Sequence, residues 1–287
     1  ATQYGCAFVD ILGTTAPVLA NVSGNSINPS LNTLYNGSSA NNLLNTDGCL
    51  FPGDSIMLTA TAEIDPTCMP VDEPLMNTAT VNGEDPDGNP VTDDSDDESD
   101  IPNDTGGPDD PTLLSIPDID VAKEQLGYTN LPNGNISVDY QLTIQNTGNT
   151  ILNNIALEDD IATQFTPAFV SAMPVSISGT ANTIGGLNTG FNGSGTTGSL
   201  SIDGDDIIDR TAIMNPGENI VVLIKVEIDP LLVPTMGLSN QATASGNDPS
   251  GNPVDDISDD GIDPTDDTDE PTPLDLGPIP EITKTLV

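Results

Sequence analysis

The sequence predicts an all-β chain, a tandem pair of antiparallel β-sandwiches joined by extended acidic linkers. Three observations predict it. Apolar residues alternate with polar ones at a period of two, the mark of strands with one buried face. The chain matches itself at a spacing of about 160 residues, long enough for a whole domain. Finally, 25 Pro and 27 Gly in 287 residues interrupt the chain too often for long helices.

The repeat orders the elements. Ala1-Thr-Gln-Tyr and Ala7-Phe-Val return as Ala162-Thr-Gln-Phe and Ala168-Phe-Val. Pro52-Gly-Asp-Ser-Ile, running into Glu63-Ile-Asp-Pro, returns as Pro216-Gly-Glu-Asn-Ile running into Glu227-Ile-Asp-Pro. Asn77-Thr-Ala-Thr returns as Asn240-Gln-Ala-Thr, Asp85-Pro-Asp-Gly-Asn-Pro-Val as Asp248-Pro-Ser-Gly-Asn-Pro-Val, and Asp120-Val-Ala-Lys as Glu281-Ile-Thr-Lys. Ile56, Leu58, Ala60, Ala62 and Ile64 form one predicted strand face, and Ile220, Val222, Ile224, Val226 and Ile228 form its copy. A third face is Ile136, Val138, Tyr140, Leu142 and Ile144. Asn146-Thr-Gly-Asn is a turn between two strands, and Pro-Gly opens each copy of the long strand. Each repeat is thus read as a sandwich of about seven short strands with an acidic exit.

The register of the repeat also reads the ends. Ala1 aligns inside a domain, so the first domain lacks the counterparts of residues 127–161, its opening hairpin. Two arrangements are compatible: a window from a longer tandem array, or strand exchange in which residues 279–287 complete another molecule. Both make the working object a linear polymer of domains.

Composition excludes several function classes. A formal charge of -41, with only Lys123, Arg210, Lys225 and Lys284 as basic residues, excludes nucleic acid and anionic membrane surfaces as partners. The absence of His removes imidazole catalysis and histidine ligation. No apolar run reaches the ~18 residues of a membrane span. Asn-X-Ser/Thr triplets begin at Asn21, Asn36, Asn103, Asn135 and Asn192, unsurprising in so Asn- and Thr-rich a chain. The loops of residues 185–198 have no following helix with a Lys and are read as flexible surface loops rather than a phosphate cradle.

The acidic exits carry the chemistry. Residues 84–110 and 248–275 hold 23 of the 45 acidic residues and no Lys or Arg. Carboxylates that dense repel one another, so the stretches are either solvated spacers or sites where hard cations supply the missing charge. Acidic residues recur at Asp85/Asp248, Asp93/Asp256, Asp96/Asp259, Asp97/Asp260, Asp100/Asp263 and Asp104/Asp267. Ser95/Ser258 and Thr105/Thr268 add hydroxyl oxygens between them. Calcium, bound by ~6–8 oxygens from closely spaced residues, is the expected cofactor, as several ions. The candidate ligands are Asp85, Asp87, Asp93, Asp94, Asp96, Asp97, Asp100, Asp104, Asp109, Asp110 and Asp118 around the first exit. Around the second they are Asp248, Asp255, Asp256, Asp259, Asp260, Asp263, Asp266, Asp267 and Asp269, with Asp159 and Asp160 from a strand end at the same pole. Asp85, Asp87, Asn89 and Asp96 have EF-hand spacing, but Gly88 is misplaced and prolines intrude, so Asp85-Pro-Asp-Gly-Asn-Pro is read as a turn. Counting strands by pole pairs Cys6 with Cys49 in a disulfide and leaves Cys68 free.

The succession Ile119-Asp-Val-Ala-Lys, Tyr140-Gln-Leu-Thr-Ile-Gln-Asn-Thr-Gly-Asn-Thr, Asn154-Ile-Ala-Leu-Glu-Asp-Asp, Asn215-Pro-Gly-Glu and Asn240-Gln-Ala-Thr resembles the Ig-like repeat domain found in tandem in very large bacterial surface and secreted proteins. With the repeat register, the resemblance gives an incomplete Ig-like sandwich at 1–83 that departs from the family pattern by its missing hairpin, acidic linkers at 84–117 and 248–278, an Ig-like sandwich at 118–247, and an opening strand at 279–287. It implies a non-enzymatic, extracellular role on the bacterial cell surface, as a stalk, fibre or adhesin scaffold; the calcium expected in the acidic exits would rigidify its beads, which adjoin further copies or repeats. The alternative is an adhesin or ligand-binding repeat whose acidic stretches only space the domains. A glycosidase built on paired carboxylates would need a cleft, whereas these carboxylates lie in the exits.

Overall fold

The computed structural model describes residues 3, 8–11, 18–23, 29–38, 42–65, 68, 75–95, 111–266 and 268–277. The chain divides into two units, Ala1–Leu114 and Ser115–Val287. Helix is scarce among the described residues, as the Pro and Gly content predicts.

The first unit pairs its strands two by two. β1 (Phe8–Ile11) runs antiparallel to β4 (Ala62–Ile64), and β2 (Val18–Ser23) to β3 (Ser55–Thr59). β5 (Met76–Asn77) pairs with β8 (Thr112–Leu113), and β6 (Thr80–Glu84) with β7 (Pro90–Asp94). Two-stranded ribbons bury little, and Leu75 is the one buried hydrophobic residue among those described in this unit.

The β1–β4 register corrects the cysteine pairing. It sets the start of β1 beside the end of β4, with Phe8 opposite Ile64, four residues before Cys68. Cys68 is disulfide-bonded, while Cys49 is an exposed free thiol. The predicted Cys6–Cys49 bond is therefore wrong. Residues 29–38 and 42–47 fold against each other through the Leu31–Leu44 bridge and the Ser30–Asp47 hydrogen bonds, instead of forming a strand that crosses the domain, which breaks the count by poles. Cys6 itself lies outside the described residues.

The second unit holds the core. β9 (Asp120–Asn130) and β10 (Ile136–Gln145) form a hairpin, and β11 (Leu152–Glu158) leads into the four-residue helix α1 (Ile161–Gln164). β12 (Phe169–Gly179), β13 (Ile213–Met214) and β14 (Asn219–Ile228) follow, then a 3-10 turn at Pro230–Leu232 and β15 (Ser239–Asn240). The last strands are β16 (Thr243–Asn247), β17 (Pro253–Ile257), β18 (Asp259–Asp260) and β19 (Thr272–Pro273). One sheet has the order β12-β14-β10-β9-β18, a second β13-β11-β16-β17, and β15 pairs with β19. The pairing is antiparallel except between β9 and β18.

Two of the three predicted period-two faces are buried; in the first unit Ile56, Leu58 and Ile64 are only half-buried, Ala60 and Ala62 are exposed, and the run divides between β3 and β4. Ile136, Val138, Tyr140, Leu142 and Ile144 of β10 join Ile220, Val222, Ile224, Val226 and Ile228 of β14 in one cluster. Leu152, Ile155 and Leu157 of β11 meet them from the other sheet, with Phe165 after α1. Each such side chain, buried in full, contributes about 1.5–3 kcal/mol. The Asn146 turn differs from expectation in one respect. β10 and β11 belong to different sheets, so the turn crosses the sandwich and Asn146 is buried, donating to the carbonyls of Thr150 and Met214 at 2.8 and 2.9 Å. The Pro-Gly turns hold, with Gly53 at φ 86° and Gly217 at φ 76°, which glycine adopts without strain.

The second acidic stretch is not a linker. Residues 248–277 fold back on their own unit: β17 extends one sheet, β18 adds to the edge of the other, β19 pairs with β15, and Val254, Leu274 and Leu276 pack on the core. Asp248, Asp256, Asp259, Asp263 and Asp275 accept from nearby N–H and O–H donors, while Asp255, Asp260, Asp266 and Glu270 face solvent, so charge density does not keep the segment off the sandwich. The described part of the first acidic stretch, residues 84–95, is also paired, in the β6–β7 ribbon.

Candidate functional site

Both β6–β7 and β16–β17 hairpins are closed by the same turn. Asp85 accepts from the Asn89 backbone and side-chain N–H groups, both at 2.8 Å, and Asp248 does the same with Asn252. These bonds hold both carboxyls below their ordinary range, with the Asn side chain the first cause. The Asx turn predicted for this motif is present. Both aspartates serve as turn acceptors.

The other candidates separate into three groups. Asp96, Asp97, Asp100, Asp104, Asp109, Asp110 and Asp267 lie outside the described residues. Asp87, Asp93, Asp255, Asp260 and Asp266 are exposed, as are Asp94, which accepts from Thr80 Oγ1 at 2.6 Å, and Asp118. Asp160 caps α1 through the Thr163 N–H, and exposed Asp263 caps the turn at Thr265. The third group folds together. Half-buried Asp256 accepts from the Val121 N–H at 2.8 Å, and buried Asp259 accepts from the Thr268 N–H at 2.9 Å, its hydroxyl at 3.1 Å and the Asp269 N–H at 2.5 Å. Burial, with Asp259 and Asp269 adding repulsion, pushes Asp256 up to about 6. These bonds pin the acidic segment to the sandwich. Asp259→Ala should leave three donors without an acceptor and cost about 1–3 kcal/mol, seen as a lower melting temperature and faster proteolysis within residues 259–272.

A tighter cluster joins Glu158, at the strand end that precedes Asp159 and Asp160, to a loop that sequence reasoning did not consider. Glu158 ends β11, and Asp203, Asp205 and Asp206 follow in the loop before β13. One carboxylate oxygen from each of Glu158, Asp205 and Asp206 lies within 4.8 Å of the others. Arg210 bridges two of them, Nη2 to Glu158 at 2.9 Å and Nε to Asp206 at 2.7 Å. Asp205 has no basic partner: its Oδ2 accepts from Thr197 Oγ1 at 3.2 Å, and its Oδ1 is buried with no hydrogen bond. Burial, the Asp203 hydrogen bond and the Asp203 charge push Asp205 up to about 7. Gly195 closes over the pair, since a Cβ there would stand 2.0 Å from Asp203 Oδ1 and 2.2 Å from Asp205 Oδ1. The 185–198 loop is accordingly packed in place, with Phe191 buried in the core and Glu158 accepting from the Gly198 N–H at 3.0 Å. The legible signal was the Asp203-Gly-Asp-Asp run itself, three carboxylates within four residues.

The donor set fits a hard cation. It is all oxygen, it carries more negative charge than Arg210 cancels, and oxygens on opposite sides of a calcium ion stand about 4.6–5.2 Å apart.

Asp159 is a different matter. It is 1% exposed and paired with Lys123, which is 0% exposed, while its Oδ1 accepts from Asn240 Nδ2 at 2.7 Å. Its charge is thus matched by an ammonium rather than facing the acidic segment. Burial pushes the Lys123 ammonium down and the Asp159 carboxyl up, each opposed by the other's charge. The Lys123 Nζ also lies 4.9 Å from the Tyr140 ring centre. Strand parity gave the signal for Lys123, since Ile119 and Val121 set the inward face on which it stands.

No family model matches this chain, and no curated protein matches it. Among solved structures, the major pilin subunit of Bacillus cereus is similar over 93% of this chain and 64% of the pilin, at 9% identity and a TM-score of 0.36. The chain therefore spans less than two thirds of that pilin's length, and a likeness this distant bears on neither site nor activity. Among the described residues, no helix is long and apolar enough to cross a membrane.

Proposed function

We propose that this chain is a non-enzymatic structural module of an extracellular fibre or stalk on the bacterial surface, adjoining further copies or repeats in a linear polymer, with calcium holding its acidic loops. The observation that carries the reading is the Glu158, Asp205 and Asp206 cluster, where Asp205 Oδ1 is buried, has no N–H donor among the described residues and faces the Asp203 carboxylate. Calcium would supply the positive charge that Arg210 leaves short. Asp205, Asp206 and Glu158 would hold it, with Asp203 beside them, and the ion would clamp the loop of residues 192–206 to the end of β11. In this reading cations stiffen the bead by fastening its loops, which replaces the picture of ions strung along a free linker.

Calorimetric titration of the full chain with calcium, paired with small-angle scattering in calcium and in chelator, tests this. Saturable binding, weakened at least tenfold by Asp205→Asn, with a more compact or stiffer profile in calcium is the expected result. A flat titration overturns the calcium part of the reading.

A further inference from the structure

Lys123 on β9, Asp159 after β11 and Asn240 on β15 meet in the dry interior of the second unit. The two oxygens of one carboxylate bridge an amine and a carboxamide: Lys123 Nζ lies on Oδ2 and Asn240 Nδ2 on Oδ1. The three residues are 0–1% exposed, and the Asn240 Oδ1 is a buried acceptor with no partner. Tyr140 and Phe165, with ring centres 6.5 Å apart, wall the pocket, and the buried Tyr140 hydroxyl is likewise unpartnered. A lysine, an aspartate and an asparagine placed like this are a poor solution for stability alone, since apolar residues of the same size fill such a space without burying charge.

From this geometry we infer that the site is built for a covalent bond, an amide joining Lys123 Nζ to Asn240 Cγ, formed within the folded unit with loss of ammonia and with Asp159 as general acid and base. Asp159 takes one proton from the ammonium, and the neutral amine attacks Cγ of the carboxamide. As the Nζ–Cγ bond forms, the carboxyl group relays the second proton from Nζ to Nδ2, which leaves as ammonia when the Cγ–Nδ2 bond breaks. The carboxyl ends protonated, so the step replaces a buried ion pair with neutral groups, and exclusion of water favours every stage of it. No oxidant or cofactor is required. Holding amine, acid and amide in one place supplies the proximity that makes an otherwise slow amide exchange feasible.

The bond would fasten the opening strand of the sandwich to β15, whose Asn240 sits opposite Thr272 of the folded-back acidic segment. Thr272 in turn donates to the Lys123 carbonyl at 2.9 Å. Tension entering at β9 would then pass through the bond and bypass β10 to β14. The first unit has the same scaffold at this point: Gln3 brackets the Thr78 backbone as Gln164 brackets that of Gln241. Its Asn77 stands where Asn240 does, but residues 1–114 contain no lysine, so one bond per chain is expected.

Mass spectrometry of the reduced, denatured full chain decides the matter. The expected mass is that of the sequence less one ammonia. Trypsin should fail at Lys123 and release a branched species joining residues 1–210 to residues 226–284. Asp159→Ala and Lys123→Arg should each restore the sequence mass and separate the two peptides. A folded wild-type chain, checked by circular dichroism, that shows the full sequence mass overturns the inference whether or not the variants fold. Loss of ammonia without the branched peptide also overturns it, since a succinimide explains that result. An Asp159→Ala chain that still carries the branch overturns the role of Asp159.

Discussion

Adding Lys123→Met to the Asp159→Ala protein is expected to raise its stability by about 3–5 kcal/mol, a gain obtained by deleting a second native residue. Asp159→Ala alone strands Lys123 in a site with no access to water, where the ammonium has lost both its counter-charge and its hydration. The side chain then folds only by giving up its proton, and the unfolded chain, which keeps it, gains the advantage. Methionine fills similar volume and carries no charge, so the penalty disappears. Neither variant can form the Lys123–Asn240 bond, and the comparison therefore isolates charge burial from covalent linkage. The sign of the pH dependence provides an internal check. In Asp159→Ala the unfolded state binds more protons than the folded state, so stability should climb as pH rises from neutrality towards 10, whereas the double variant should stay flat there. Guanidinium titrations of the full-length variants measure both effects, and equal stability of the two would contradict the account of the pocket.

How much was legible in the sequence follows from what each signal encodes. Alternation in Ile136 to Ile144 and in Ile220 to Ile228 reports a property of single strands, which face is buried, and the structure buries both faces as read. The Asp85 and Asp248 turns were legible for the same local reason. Partners distant in sequence were not. Nothing in the Asp-rich run told that Val121 and Thr268 would supply N–H donors to it, so charge density was read as repulsion and the segment as a linker. The cysteine pairing failed similarly, because counting strands between poles presumes that every segment crosses the domain. Lys123, Asp159 and Asn240 come from three elements and carry no common motif. Only inward parity marks the lysine, and a reading that treated basic residues as surface features had no cause to ask what faced it.

In chelator the chain is expected to become more stable as pH falls from about 8 to 5, and calcium should reverse that trend. Asp205, near 7 in the folded state against an ordinary 3.8, keeps a proton that the unfolded chain releases. Between those values the folded state binds more protons, so its advantage is complete below the unfolded value and lost as pH rises through about 7. Asp256, pushed up to about 6, adds to the same slope, and reduced repulsion in a chain of charge -41 acts in the same sense. Asp203 shifts the opposite way, its hydrogen bond to Asp205 holding it low, so it acts below the ordinary carboxylate range and does not offset Asp205 between about pH 5 and 8. Aspartates held low by their turns, such as Asp85 and Asp248, lose their contribution only below the ordinary carboxylate range, which leaves this window clear. A cation at Asp205 competes with the proton and wins at high pH. Calcium at a thousand times its dissociation constant should then stabilise by about 4 kcal/mol at pH 8 and by far less at pH 5. Asp205→Asn separates the causes: it should flatten part of the slope in chelator and remove most of the calcium response. If thermal melts show the same calcium response in that variant, the ion sits elsewhere, and the acidic segment with Asp256 and Asp259 becomes the place to look.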